Sequence, residues 1–140
     1  MFAGDLAGVI IRVDKRRLLR VIANLLDNAA KYASGADRVE IALVGDMVQV
    51  AVEDTGPGIA PRDRLRVFDR FSRGWVEGER AKRKGVGLGL SIVAEHVRIH
   101  GGDVWVEGRA DGGEGARFVF TLPVDPDLSR PGFDEDEEDL

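Results

Sequence analysis

Asn24-Leu25-Leu26-Asp27-Asn28-Ala29-Ala30-Lys31-Tyr32 is the stretch on which the reading of this 140-residue chain turns. It closes a longer run in which Leu18, Ile22, Leu25, Ala29 and Tyr32 recur at three-to-four spacing, the period of one helix face. Asp14 stands ahead of that run with a side-chain oxygen suited to the first free amides of a helix. The pattern predicts a helix over residues 15–33, left through Ser34-Gly35. At about 100° per residue, Asn24, Asn28 and Lys31 fall within roughly 60° of one another, beside the apolar face. Two amides and an ammonium along one edge could offer oxygens to Mg²⁺ and a cation to phosphate. Polar residues at this spacing are also what a solvated helix edge carries, and the stretch alone leaves both readings open.

Outward from this helix the elements alternate. Val9-Ile10-Ile11-Arg12-Val13 reads as a short strand before it. After it, residues 38–44 and 47–54 are two alternating runs, Val39, Ile41 and Leu43 facing one way and Val48, Val50 and Val52 likewise, joined by a hairpin-type Gly45-Asp46. A Gly/Pro-rich turn over 54–61, a short helical piece near 63–68 and a polar stretch to Lys84 follow. Glycines over 85–89 open a second helix, about 88–99, which Gly101-Gly102 ends. Two last strands, near 103–108 and 116–122, make another hairpin around Asp111-Gly112-Gly113. The expected architecture is α/β: a two-layer sandwich with a mixed sheet of about five strands, covered on one face by about three helices.

Three further clusters carry chemistry. Asp54-Thr55-Gly56-Pro57-Gly58 follows directly on a strand; a carboxylate there can accept from an exocyclic amine, while the glycines let backbone approach a flat ring. Phe68-Asp69-Arg70-Phe71 frames an ion-pair-capable couple with two aromatics. Gly85-Val86-Gly87-Leu88-Gly89-Leu90 leads into a helix and would bare backbone N–H groups at its start, a ready anion site. The spacing is G-x-G-x-G with Leu90 where a dinucleotide fingerprint needs its third glycine, and no Gly-Lys-Ser/Thr is present, so neither common nucleotide loop fits.

Composition narrows the rest. The chain is 44% apolar with no cysteine, which excludes a disulfide scaffold and a thiolate zinc site. No apolar run approaches the roughly 18 residues of a membrane span, and no secretory leader is evident, so a cytoplasmic domain without direct membrane contact is expected. The net charge of −5 is unevenly placed: residues 125–140 hold eight acids and one base, leaving residues 1–124 at +2. The expected division is therefore a folded unit over 1–124 and a disordered acidic tail over 125–140. A nearly neutral body argues against nucleic acid as a partner.

Taken in order, the Asn-rich helix, Asp-x-Gly-x-Gly, Phe-x-x-Phe and Gly-x-Gly-x-Gly resemble the catalytic ATP-binding domain of bacterial two-component sensor histidine kinases, a branch of the Bergerat-fold superfamily. The resemblance runs from about Val9 to Val124, with Arg17–Ala23 before the first cluster and Ser91-Ile92-Val93 through His100-Gly101-Gly102 after the last agreeing with it. It implies ATP and Mg²⁺ as cofactors. Asn28 would then be the metal ligand, with Asn24 beside it; Lys31 would reach phosphate and Tyr32 lie against adenine. Asp54 would accept the adenine amino hydrogen in a pocket shaped by Gly56 and Gly58. Phe68 and Phe71 would anchor the base of a lid over residues 72–84, whose five bases and two acids sum to +3. Arg73 would contact the terminal phosphate, and Gly85, Gly87, Leu88 and Gly89 would hold the phosphate chain.

The same resemblance implies what is missing. Family members transfer the γ-phosphoryl group to a histidine followed by an acid on a helical dimerisation domain, whereas His96 precedes Val97 and His100 precedes Gly101. His100 is expected to cap or pack the end of the second helix. The chain would bind ATP as a monomer, use a dimerisation domain supplied in cis or in trans, and act on a response regulator only indirectly. An anti-sigma-type serine kinase, to which Phe68 and Phe71 are foreign, and a non-catalytic ATP-binding regulatory module are the alternatives.

Overall fold

The computed structural model describes residues 8–69 and 86–125. The elements run α1 (Lys15–Tyr32), β1 (Ala36–Val44), β2 (Met47–Asp54), two single 3₁₀ turns (Pro61–Asp63 and Arg66–Phe68), α2 (Val86–Ile99), β3 (Val104–Glu107) and β4 (Arg117–Pro123). The α/β class is as expected, but the details differ. The sheet has four strands in the order β1-β2-β4-β3, and every neighbouring pair is antiparallel rather than mixed. Both hairpins are antiparallel by construction. β2 and β3 point the same way but are separated by β4, with α2 making the long connection that same-direction strands require.

The expected first strand contributes one bridge, Ile11 to Val124, together with the bond from the Asp125 N–H to the Ile10 carbonyl. Pro123, at the end of β4, has no N–H with which to extend a ladder there. The expected short third helix is the pair of 3₁₀ turns. Asp14 caps α1 as its position predicts, its Oδ1 accepting from the Arg16 and Arg17 amides at 3.0 and 3.4 Å. α2 begins two residues earlier than the glycine spacing suggested and ends on Gly101 at φ +82°. Gly102 N–H reaches the Val97 carbonyl and Gly101 N–H that of Arg98, both at 3.0 Å, the paired bonds of a Schellman end.

The two helices lie on one face of the sheet. Register places Val52, Phe118 and Val106 in one inner row, and Val50, Phe120 and Val104 in the next. Against these rows pack Val21, Leu25 and Tyr32 of α1 and Leu90, Val93 and Val97 of α2. β1, at the sheet edge, shares the inner face but is poorly covered: Val39 and Ile41 remain exposed. On the opposite face a charged cluster replaces a second apolar layer. Arg117 joins the wholly buried Glu53 at 2.7 Å and Glu40 at 3.2 Å. Among the described residues no helix is long and apolar enough to cross a membrane.

His100 does hold the end of α2 as expected. Its Nε2 accepts the Asp14 N–H at 3.0 Å, which puts the proton on Nδ1, and that nitrogen donates to the His96 carbonyl at 2.7 Å. His96, one turn back, has Arg17 Nη1 at 3.3 Å from its Nδ1.

Two outcomes test this packing. Phe118→Ala removes a ring from both the inner row and the contact with Phe68, and should lower unfolding free energy by about 3–5 kcal/mol in urea titration. Burial, and then the charge of Arg17, holds the His96 pKa below its usual 6.5. The unfolded chain therefore takes up this proton first as pH falls, so stability drops from about pH 6.5 toward the folded value and is unaffected above it. His96→Gln should flatten the acid dependence of the urea midpoint across that window.

Candidate functional site

The polar edge of α1 faces a cavity. Asn24, Asp27, Asn28, Lys31 and Tyr32 line it from α1, and Gly89, Leu90 and Ile92 line it from α2, enclosing about 230 Å³. Asn28 is buried, and its Nδ2 and that of Asn24 are shut off from solvent with no hydrogen-bond partner among the described residues. Leaving such a group unsatisfied typically costs about 1–3 kcal/mol, a cost that folding alone gives no reason to bear. Amide oxygen and nitrogen exchange places on a flip. Two carboxamides in a cavity wall therefore suit a ligand bearing a hard, oxygen-seeking cation such as Mg²⁺. Lys31 extends along the surface, its Nζ 3.0 Å from Asp27 Oδ2 one turn earlier.

The wall continues through the turn after β2. Gly56 lies so close to the end of α1 that an added Cβ would stand 2.9 Å from the Tyr32 carbonyl oxygen, so only glycine lets the turn sit there unstrained. Asp54, the last residue of β2, is 1% exposed. Its Oδ1 accepts from the Gly56 N–H at 2.9 Å and the Ala116 N–H at 3.2 Å. Its own N–H donates to the Ala116 carbonyl at 3.0 Å, and its carbonyl accepts from Arg109 Nη1 at 2.9 Å. Gly58 and Gly115 meet backbone to backbone beyond it: a Cβ on Gly58 would fall 2.8 Å from the Gly115 oxygen. A carboxylate fixed this rigidly at a strand end presents one defined acceptor direction to a ligand.

Phe68 is buried with its ring edge-on to Phe118, centroids 6.3 Å apart. It lines a second, open cavity of about 690 Å³ along α2, and Ile92 borders both cavities. Gly87 and Leu88 fall in the first turn of α2, where amides lack intrahelical acceptors and the helix end is electropositive. Gly89 has nothing within 4 Å of where a Cβ would be, so the missing side chain leaves the cavity open. The structure thus brings Asn24, Asn28, Lys31, Tyr32 and Gly89 to one cavity, joins Asp54, Gly56 and Gly58 to its edge through Tyr32, and sets Phe68 beside the neighbouring cavity. Phe71, Arg73, Gly85, the expected lid over 72–84 and the tail beyond Asp125 lie outside the described residues.

Sequence reasoning passed over Arg109 and Ala116. Arg109 belongs to no periodic run or spaced motif, Ala116 reads only as the first residue of a strand, and their partners are 55 and 62 positions away. Only the sheet brings them to Asp54. The glycines at 112, 113 and 115 flag the loop as a tight turn but say nothing about what it touches.

Comparison with known proteins fits this geometry. Residues 13–126 match the family described as histidine kinase-, DNA gyrase B-, and HSP90-like ATPase. The signal transduction histidine-protein kinase AfsQ2 of Streptomyces coelicolor is 43% identical over 130 residues, covering 92% of this chain and 23% of AfsQ2. Among solved structures, the mycobacterial sensor histidine kinase MprB superposes with a TM-score of 0.66 at 33% identity, covering 84% of this chain and 77% of that one. Full-length ShkA in complex with AMPPNP superposes with a TM-score of 0.62 at 35% identity, covering 81% and 23%. The chain spans about a quarter of the length of the curated relatives it matches.

The orphaned amide generates its own test. Asn28→Leu replaces a buried unsatisfied group by an apolar one of similar size and should raise unfolding free energy by about 1–3 kcal/mol. Urea titration checks it; a loss of stability would mean the amide is satisfied inside the fold.

Proposed function

The chain belongs to the family of histidine kinase-, DNA gyrase B- and HSP90-like ATPases, and from that premise we propose that it binds ATP with Mg²⁺ and donates the γ-phosphoryl group to a histidine on a separate dimerisation domain in two-component signal transduction. The observation that carries the reading is the convergence of the amide edge of α1 and the start of α2 on one cavity, where the amide nitrogens of Asn24 and Asn28 have no hydrogen-bond partner among the described residues. Histidine kinases among the relatives and structural neighbours favour this acceptor chemistry over a serine kinase or a purely regulatory module.

In this reading Asp54 accepts a hydrogen from the adenine amino group, and Gly56 and Gly58 keep the ring's path clear. Tyr32, in the cavity wall, lies against the adenine. Gly85, Gly87 and Gly89, with the amide of Leu88, bind the phosphate chain at the start of α2, as a helix N-terminus does. Asn28, with Asn24 beside it, would hold Mg²⁺, which neutralises phosphate charge when bound. Lys31 exchanges its pairing with Asp27 for a phosphate oxygen. Arg73 and the bases of residues 72–84 supply further positive charge. The transfer breaks the bond from the γ-phosphorus to its bridging oxygen, forms a phosphorus–nitrogen bond and releases ADP. The imidazole proton passes to the acid beside the acceptor histidine. This domain contributes position and electrostatics and no covalent intermediate.

Two measurements test the reading. Asp54→Asn should weaken ATP binding by roughly 1–3 kcal/mol in calorimetry, as expected for a lost charge-assisted hydrogen bond. Mixing the chain with a histidine-bearing dimerisation domain and radiolabelled ATP should place acid-labile, alkali-stable label on that partner. Acid-stable label would assign the serine chemistry instead, and no label at all would leave only nucleotide binding.

A further inference from the structure

We propose that Arg109, in the loop between β3 and β4, is a positioning residue that sets the adenine selectivity of the site by holding the backbone of Asp54 in place. The inference rests on the reading of Asp54 as the adenine acceptor. Arg109 bonds the Asp54 backbone carbonyl and not its carboxylate, so in this proposal it acts through Asp54 and not on the nucleotide.

The guanidinium is built into its position. Its side chain is 8% exposed and divides its donors between two directions. Nε and Nη2 fork onto the two carboxylate oxygens of Asp111 at 3.1 and 3.0 Å. Nη1 donates to Asp37 Oδ1 at 2.7 Å and to the Asp54 carbonyl at 2.9 Å. Glu53 Oε1 lies 3.7 Å from Nη2. Asp37 belongs to β1, Glu53 to β2 and Asp111 to the loop, so three separate pieces of chain aim their charge at one cation. The guanidinium holds the Asp111 carboxyl down at about 2, helped by the Gly113 N–H, and lowers that of Asp37 as well. Both anchors are therefore charged at neutral pH.

Asp54 is the residue this arrangement immobilises. Its N–H is held by the Ala116 carbonyl, its carbonyl by Arg109, and its carboxylate by the Ala116 and Gly56 amides. The first and third hold residue 54 to the sheet and the turn. The second bears on the peptide plane between Asp54 and Thr55, where the turn toward Gly56 begins. Gly115 packs against both partners of this bond: an added Cβ would meet the Asp54 oxygen at 2.0 Å and the Arg109 Cδ at 2.9 Å, so only glycine lets the guanidinium and the carbonyl meet there. Without the guanidinium that carbonyl loses its charged donor, and the turn through Thr55 that sets the Gly56 amide against the carboxylate is held less firmly. A hydrogen bond to adenine depends on that orientation; a general hold on phosphate does not.

The test compares ATP with inosine triphosphate, which carries a carbonyl where adenine carries its amino group. Arg109→Met keeps most of the apolar stem and removes the donors, and Arg109→Lys restores the charge without the fork. Dissociation constants for both nucleotides are measured by calorimetry, well below each variant's melting temperature, alongside Asp54→Asn. The proposal expects Arg109→Met to shrink the preference for ATP over inosine triphosphate by roughly three- to tenfold, with little change for the latter, and Arg109→Lys to recover part of it. In the Asp54→Asn background, Arg109→Met should change nothing further. Should Arg109→Met fail to fold, Asp111→Asn loosens the same guanidinium from the exposed side and should shrink the preference in the same direction. A loss equal for both nucleotides, or an unchanged preference in these variants, overturns the role given to Arg109. Asp54→Asn leaving the preference intact would instead overturn the reading of Asp54.

Discussion

The site depends on one contact, that between the end of β2 and the loop that returns into β4. Asp54 and Ala116 exchange a backbone bond and a backbone-to-carboxylate bond. Gly115 lies flat against the Asp54 carbonyl. Since β2 and β4 are the two central strands, this contact extends their ladder past its last regular pair, Glu53 with Arg117. The turn that carries Gly56 and Gly58 is thereby fixed by the sheet, and through Gly56 it is pressed on the end of α1. Strand end, turn and helix end become one rigid corner. A ligand meeting that corner encounters groups already in place, which is the condition for selective recognition at low entropic cost.

The polar edge of α1 belongs to the same economy. Val21, Leu25 and Tyr32 bury the helix against the sheet, while Asn28 on the adjoining stripe is buried with no partner for its amide nitrogen among the described residues. A fold optimised only for stability would place a Leu there. In the proposed reading the retained amide is a cost in stability borne for binding, the usual compromise between the two. On the far face, Glu53 repeats the theme with a different outcome. It is as buried as Asp54, but Arg117 and Arg109 surround it with compensating charge, so it serves the architecture.

Much of this was legible in the chain because local rules govern it. The three-to-four spacing from Leu18 to Tyr32 defines α1 to within a residue, and Asp14 caps it. The alternation on either side of Gly45-Asp46 foretells the first hairpin, whose register sets Val39 against Val52 and Ile41 against Val50. The rest followed from longer-range geometry. Val9–Val13 has strand composition but finds a single bridge, because the strand beside it ends in Pro123. Val39 and Ile41 alternate as a buried strand should, yet they lie at the sheet edge beyond the cover of the helices. Strand composition does not tell a central position from an edge.

The amino-acid order by itself determined the helices, the hairpins and the identity of the polar and glycine-rich clusters, because each depends on neighbours within a few residues. Tertiary structure decided which clusters meet. Asn28 and Gly89 share a cavity wall 61 positions apart because α1 and α2 lie side by side on one sheet face. Arg109 reaches Asp54 because β4, between β2 and β3, brings the last loop back to the end of β2. Such meetings arise from strand order and helix docking, which are properties of the packed chain as a whole and leave no periodic trace in its local sequence.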